Sequence, residues 1–416
     1  MRNRILFTLA VAGLTLLASS AALATGFSIY EAGSRATALG GAFTANADDG
    51  SALFYNAAGL SFIDGQTING NAMFIRPDFK FSGKLSKTDE VQTGEAVANT
   101  FIVPGMYYTN NNGDNLSFGV GVYAPFGLGV EWQDPENWVG RRISHDVSIE
   151  TVYVTPAISF KVDETLAIAV GLDIAHQNLN LNKYSPSSLT GSNAIHTEIE
   201  GSSAINITPS FGVMYRPDEK LSLGLMYHYG KEMQFKDQPA TLTPATGEGA
   251  VFGNTVIGAL GGSDQEISST VNLPYIFSVG FGYQITEAFR AEVDYVRFGW
   301  GTFEKLEMDF TNDALDQEVH FGYEDSWQVR VGAEYDITEC ITLMGGYVRD
   351  TTPQPLVSVS PLLPDSDRND YSIGLMYRGD SFDFNLSYMA VIGEDRTNIE
   401  NGEAVRNTED YPFGTY

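Results

Sequence analysis

From residue 66 onward, apolar and polar side chains alternate with a period of two, segment after segment. Leu166, Ile168, Val170, Leu172 and Ile174 point one way, and Ala167, Ala169, Gly171, Asp173 and Ala175 the other. Trp327, Val329, Val331, Ala333, Tyr335 and Ile337 oppose Gln328, Arg330, Gly332, Glu334 and Asp336 in the same manner. The pattern predicts strands near 66–76, 98–109, 115–130, 146–161, 165–182, 198–216, 220–235, 268–285, 288–310, 323–337, 340–351, 370–378 and 381–391. Tight polar turns at Asp163-Glu164 and Arg216-Pro217-Asp218-Glu219-Lys220 separate some of them. Longer polar connections lie at about 183–197, 236–267, 311–322 and 352–369.

Alternation alone would also suit a soluble sandwich, but two features favour a barrel in a membrane. Aromatic rings recur near strand ends, as at Tyr227/Tyr229, Tyr283, Tyr335, Tyr347, Tyr377 and Tyr388, where a bilayer interface places them. The opposite face is rich in Gly, Ala and Ser, which leaves room for lumen contents. A closed barrel leaves no unpaired strand edge in lipid. The fold class expected is therefore all-β, a transmembrane antiparallel β-barrel. Single-chain outer-membrane barrels usually have an even strand number. The thirteen segments, followed by a loop-like 393–416, imply that the last strand is missing and the barrel C-terminally incomplete.

The start of the chain fits export. Arg2 and Arg4 precede an uncharged stretch ending Ala22-Leu23-Ala24, so residues 1–24 read as a signal peptide. Their removal leaves 22 basic against 52 acidic side chains, a formal charge of −30, which excludes nucleic acid as a partner. Cys340 is the single cysteine, so no internal disulfide can form. Residues 25–64 are too apolar for a free tail and too small in side chain for a core. They are expected to be a plug, or hatch, inside the barrel of residues 65–416.

Thr25 to Phe62, TGFSIYEAGSRATALGGAFTANADDGSALFYNAAGLSF, resembles the N-terminal hatch of the FadL/TodX family of outer-membrane transporters of long-chain fatty acids and other hydrophobic compounds. Phe101-Ile102-Val103-Pro104, Gly121 to Gly129 (GVYAPFGLG), Trp132 and Trp138 to Arg142 (WVGRR) extend the likeness. Three departures stand out: Asn56-Ala57-Ala58 where the family has Asn-Pro-Ala, the absent last strand of a fourteen-stranded wall, and pocket residues too variable to transfer. The resemblance implies passive transport of fatty acids or aromatic hydrocarbons in the outer membrane of a Gram-negative bacterium. Cargo would leave sideways through a gap where the third strand kinks inward. The partners implied are hydrophobic small molecules and outer-membrane lipid, with the chain a monomer and no cofactor.

Candidate residues follow. Pro125 withholds a ladder N–H and Gly127 and Gly129 bend freely, so Pro125, Phe126, Gly127 and Gly129 are the candidate lateral gate. Phe27, Ile29, Phe43, Phe54 and Phe126 are candidates for ligand contact, with Arg141 or Arg142 for a headgroup. Asn56, Ala57 and Ala58 form the hatch turn, and Asp48 and Asp49 cap a turn or pair with arginines rather than bind metal. Arg290, Glu292, Asp294, Arg330 and Glu334 face the lumen from neighbouring strands and are expected to brace hatch and wall by ion pairs, a carboxylate-binding site being the alternative. No catalytic or metal residue is expected: the five histidines are scattered and neither G-x-S-x-G nor H-E-x-x-H occurs. A general porin is the alternative, with an outer-membrane lipase or adhesin behind it.

Overall fold

The structure, a computed structural model, describes residues 25–85, 91–400, 403–404 and 412–415. The signal peptide expected at 1–24 lies outside the described residues. The first strands are β1 (Gly65–Ile75), β2 (Lys80–Leu85), β3 (Gln92–Glu95), β4 (Phe101–Asn111), β5 (Leu116–Glu131), β6 (Asp146–Lys161) and β7 (Leu166–Pro186). Five wall positions that follow are each built from two strands end to end. They are β8 (Asn193–Ser202) with β9 (Asn206–Tyr215), β10 (Leu221–His228) with β11 (Lys231–Pro244), and β12 (Asp264–Leu273) with β13 (Ile276–Thr286). The other two are β14 (Phe289–Phe298) with β15 (Lys305–Phe310), and β16 (Gln317–His320) with β17 (Ser326–Thr338). The wall ends with β18 (Ile341–Asp350), β19 (Arg368–Arg378) and β20 (Asp383–Gly393).

Each wall position pairs antiparallel with the next, from β1 against β4 through to β19 against β20. The described residues thus supply thirteen wall positions, β2 and β3 standing apart. Pro412–Thr415 pairs with Ser82–Leu85 of β2, so it lies beside neither wall edge, and Tyr416 lies outside the described residues.

The side-chain rows divide as alternation requires. On β7, Ile168, Val170 and Leu172 are 46%, 45% and 48% exposed on the outside, whereas Ala167, Gly171 and Asp173 face in and are buried. Similar apolar rows cover β6, β9, β13 and β19, with Tyr215, Tyr283, Tyr335 and Tyr377 toward one rim. A soluble protein does not leave this much contiguous apolar surface in water; a bilayer covers it.

Three features escaped the period-two reading. The β2/β3 hairpin occupies a stretch without clear alternation, and helix α3 (Ala250–Ala259; α1, Ser34–Ala38, and α2, Ala52–Tyr55, precede it in the hatch) caps β8 and β11 from inside a long connection. The third is a set of aligned interruptions. His228 of β10 opposes Ile276 of β13, Ile276 opposes Phe298 of β14, and Phe298 opposes Ser326 of β17. Each residue sits where its strand stops, so several neighbouring wall positions open at one level.

Residues 25–63 fill the lumen below that level. Helix α1 (Ser34–Ala38) packs against β18, β19 and β20, and helix α2 (Ala52–Tyr55) leads into a 3-10 turn, Ala57–Phe62, against β6, β7 and β9. Small side chains make the fit possible. A Cβ on Gly224 would lie 2.0 Å from the Thr44 carbonyl oxygen, and one on Gly346 2.2 Å from the Gly40 nitrogen.

Candidate functional site

The hatch is tied to the wall by charge. Arg35 of α1 donates to Asp48 at 2.5 Å and to Glu334 of β17 at 3.0 Å; Arg290 of β14 completes the square, at 3.0 Å from Asp48 and 2.7 Å from Glu334. Asp294 accepts from the Phe43 and Thr44 amides, each at 2.9 Å, and Glu292 from the Ala45 amide and the Asn46 side chain. Arg330 donates to the Gly41 carbonyl at 3.0 Å and lies over the Tyr30 ring. All five lumenal charges singled out in the sequence therefore touch the hatch. Asp49 caps the turn before α2, accepting from the Ser51 amide and hydroxyl.

Asn56 is fully buried in the hatch turn. Its Nδ2 donates to the carbonyls of Thr44 and Val213, both at 2.9 Å, and its Oδ1 accepts from the Ala58 amide, so one amide joins two hatch segments to β9. Periodicity gave no sign of a second ionic group. There Arg368 pairs with Asp350 and Asp370, Tyr30 donates to Asp370, and Thr25 donates to Asp350. Register places Asp350 and Asp370 inward on β18 and β19, and only the three-dimensional fold brings Thr25 and Tyr30 to them.

Above the hatch lies a narrow apolar cavity, lined by Val147, Ile149, Leu181, Phe235, Phe303, Leu306, Phe321 and Leu363 among others. Its floor is the aromatic cluster made where the wall strands break. Phe303 stacks on Phe321 at 4.7 Å between centroids and lies 6.1 Å from Trp300, whose ring meets Phe27 of the hatch at 4.7 Å and Phe126 of β5 at 6.0 Å. Edge-to-face pairs of this kind add about 0.5–1.5 kcal/mol each beyond the area they bury. The cavity's outer side adjoins a mouth that shares Leu181, Leu306, Met308 and Phe321 with it and carries Arg142, Lys183 and His320.

The candidate ligand residues separate accordingly. Phe27 and Phe126 belong to the aromatic floor. Phe54 lines a smaller pocket with Tyr123, Pro125, Phe126, Tyr153 and His228. Phe43 is enclosed by Tyr55 and the Arg35 guanidinium, away from both spaces. Arg141 is engaged with the Asn193 side chain and the Trp138 carbonyl, while Arg142 lines the mouth. Sequence reasoning missed Trp300, Phe303 and Phe321; the Gly299-Trp300-Gly301 break within the expected strand 288–310 was the available signal.

At β5 the pairing changes. Tyr123 opposes Tyr153 of β6 and Phe126 opposes Thr151, so the pair Ala124-Pro125 faces the single residue Val152. Such a bulge exchanges the two faces of the strand beyond it. The pairing of β5 with β4 runs only from Asn110↔Phe118 to Met106↔Val122. Beyond it the edge of β5 is met by the hatch instead. The Ile29 amide donates to the Pro125 carbonyl at 2.8 Å and the Gly127 amide to the Phe27 carbonyl at 2.9 Å.

Residues 15–414 match the profile of the outer membrane protein transport protein family (OMPP1/FadL/TodX). The chain belongs to this family. It is 23% identical over 411 residues to the long-chain fatty acid transport protein of Salmonella typhi and 24% over 423 residues to that of Escherichia coli K12, in both cases across 94% of this chain and 93% of the relative. Its fold matches the crystal structure of a Pseudomonas aeruginosa FadL homologue with a TM-score of 0.77 at 20% identity, over 94% of this chain and 96% of the other. The Pseudomonas putida toluene transporter TodX matches with a TM-score of 0.68 at 18% identity, over 92% and 95%. Membership makes this chain an outer-membrane β-barrel of a transport family rather than an enzyme.

Beyond the aliphatic belt, the Nε2 atoms of His145 and His196 lie 3.0 Å apart and both rings stack near Tyr184. Burial, and then the facing imidazole, hold His145 down at about 4. A histidine whose folded value is depressed adds stability above its ordinary value of about 6.5, and that stability is lost as pH falls toward the folded value. Acidification from about pH 7.5 to 4.5 is therefore expected to loosen the 133–145 segment from β8, read as faster amide hydrogen exchange there. His145→Phe should flatten that pH response; exchange that stays pH-sensitive in the variant would break the link.

Proposed function

We propose that this family member carries long-chain fatty acids, or amphipathic acids of that kind, across the outer membrane by passive movement through the barrel wall. The observation that supports the reading most directly is an almost wholly apolar cavity whose entrance carries Arg142, Lys183 and His320. Each methylene moved from water into such a space gains about 0.8 kcal/mol, so an acyl tail supplies the affinity. The Arg142 and Lys183 cations suit the carboxylate that remains at the mouth. From the cavity the route runs past Phe27, Trp300 and Phe126 to the place where β4 and β5 part. There cargo leaves sideways into lipid without crossing bulk water. Neither cofactor nor energy input enters this scheme, because the driving force is the cargo's own partition.

An uncharged aromatic hydrocarbon is the second reading, favoured by the aromatic floor and indifferent to the cations. The two are separated by Lys183→Met. Fatty-acid binding to the purified protein is expected to weaken about ten-fold, the equivalent of about 1.4 kcal/mol, while a fatty-acid methyl ester and toluene bind as before. Equal affinity for the acid in both proteins would remove the headgroup assignment and leave the hydrocarbon reading in place.

A further inference from the structure

The parting of β4 and β5 is bounded. Below, the last paired residues are Met106 and Val122; above, Ala96 bridges Trp132 and the Val97 amide donates to the Glu131 carbonyl at 2.6 Å. Between these limits residues 98–105 and 123–130 are not registered against each other. A notch on the outer surface marks the lower end, lined by Gly70, Ala72, Pro104, Gly105, Met106 and Val122.

Two side chains stop the opening. A Cβ on Gly127 would lie 2.7 Å from Ile29 Cδ1, and a Cβ on Gly129 would lie 2.2 Å from Phe101 Cζ. Ile29 and Phe101 therefore rest directly on the two glycines, and both are half-buried where their neighbours Phe27, Tyr30 and Gly105 are buried. The glycines act as a floor for these side chains as well as relieving the bend. Their surroundings differ. Phe101 is held through its backbone by pairing with Ile75 of β1, so rotation about its own side-chain bonds uncovers Gly129 without breaking a ladder hydrogen bond. Ile29 is β-branched and its main chain is bonded to Pro125, so it stays with the hatch.

We propose that Phe101 is the moving leaf of a shutter and Ile29 its fixed jamb, and that together they set the cross-section of cargo admitted to the lipid. This rests on the lateral route proposed above and adds a selectivity element to it. The leaf lies outside the cavity lining, so it governs passage and not capture.

The test uses the full chain in proteoliposomes, with a linear saturated fatty acid and an acid ending in a polycyclic aromatic group. Phe101→Ala is expected to raise the uptake ratio of bulky to linear acid about ten-fold with both equilibrium affinities unchanged, and Phe101→Trp to slow both. Phe101→Leu serves if the alanine variant fails to fold. A companion protein, Cys340→Ser with Ile102→Cys and Ala124→Cys, is bridged across the opening by a bifunctional thiol reagent. An unchanged ratio in the Phe101 variants, with uptake blocked by the bridge, would overturn the shutter and leave the lateral route standing. Uptake at the native rate through the bridged wall would overturn both.

Discussion

Bridging Ile102→Cys to Ala124→Cys, in a chain whose native Cys340 is serine, is expected to cut fatty-acid uptake at least about ten-fold, and reduction of a cleavable bridge to restore it. Both positions lie on the parting strands, and Ile102 is exposed on the outer surface. On the proposed lateral route, closing that edge would leave an acyl chain in the cavity with only aqueous exits, and leaving through water forfeits about 0.8 kcal/mol for every methylene uncovered. Binding in the cavity should not change, because neither residue lines it. That separation of binding from passage distinguishes the lateral route from a porin-like one, in which a bridge in the wall would leave flux untouched. Replacing Gly127 or Gly129 is a poorer version of this experiment. Any side chain at Gly129 collides with the Phe101 ring before it can straighten β5.

Glu334→Leu is the second large effect. Glu334 accepts from both Arg35 of the hatch and Arg290 of the wall, and its loss leaves two largely buried guanidinium groups sharing Asp48. Removing one member of a buried pair while its partners stay charged costs about 3–5 kcal/mol. The hatch should consequently loosen, lowering the thermal midpoint and opening an ionic leak through the lumen that single-channel recording can detect. Combining Glu334→Leu with Arg290→Met should recover part of the lost stability, since the stranded charge goes with it. A native-like conductance and midpoint in Glu334→Leu would show that the contacts from Asp294, Glu292 and Asn56 hold the hatch by themselves.

How far these features could be read without coordinates differs by residue. Arg290 and Glu334 are placed on one inward face by strict alternation, and their direct opposition follows from register. Alternation cannot carry a residue past a bulge. At Ala124-Pro125 the faces exchange, so Leu128 joins Ile149 on the lumenal side, a step invisible to a period of two. The cavity residues Val147, Leu181, Phe235 and Leu363 were also hidden, because an inward aliphatic in the upper wall has the same chemistry as an outward one in lipid. The small, apolar composition of residues 25–64 and their likeness to a known family's hatch supplied what periodicity could not, the expectation that they sit inside the wall.

By itself the sequence determined that the wall is made of amphipathic strands, which rows meet lipid, and that an exported, cysteine-poor, strongly acidic chain carries its own plug. These are local properties: a period of two fixes a face, and small side chains fix what can be enclosed. The tertiary structure alone decided where neighbouring strands break together to floor a cavity, which cations stand at its mouth, and that Phe101 lies on Gly129. Such contacts join residues far apart in the chain, and their existence depends on register and bulges, which balance hydrogen bonding and packing across the whole barrel rather than along any one strand.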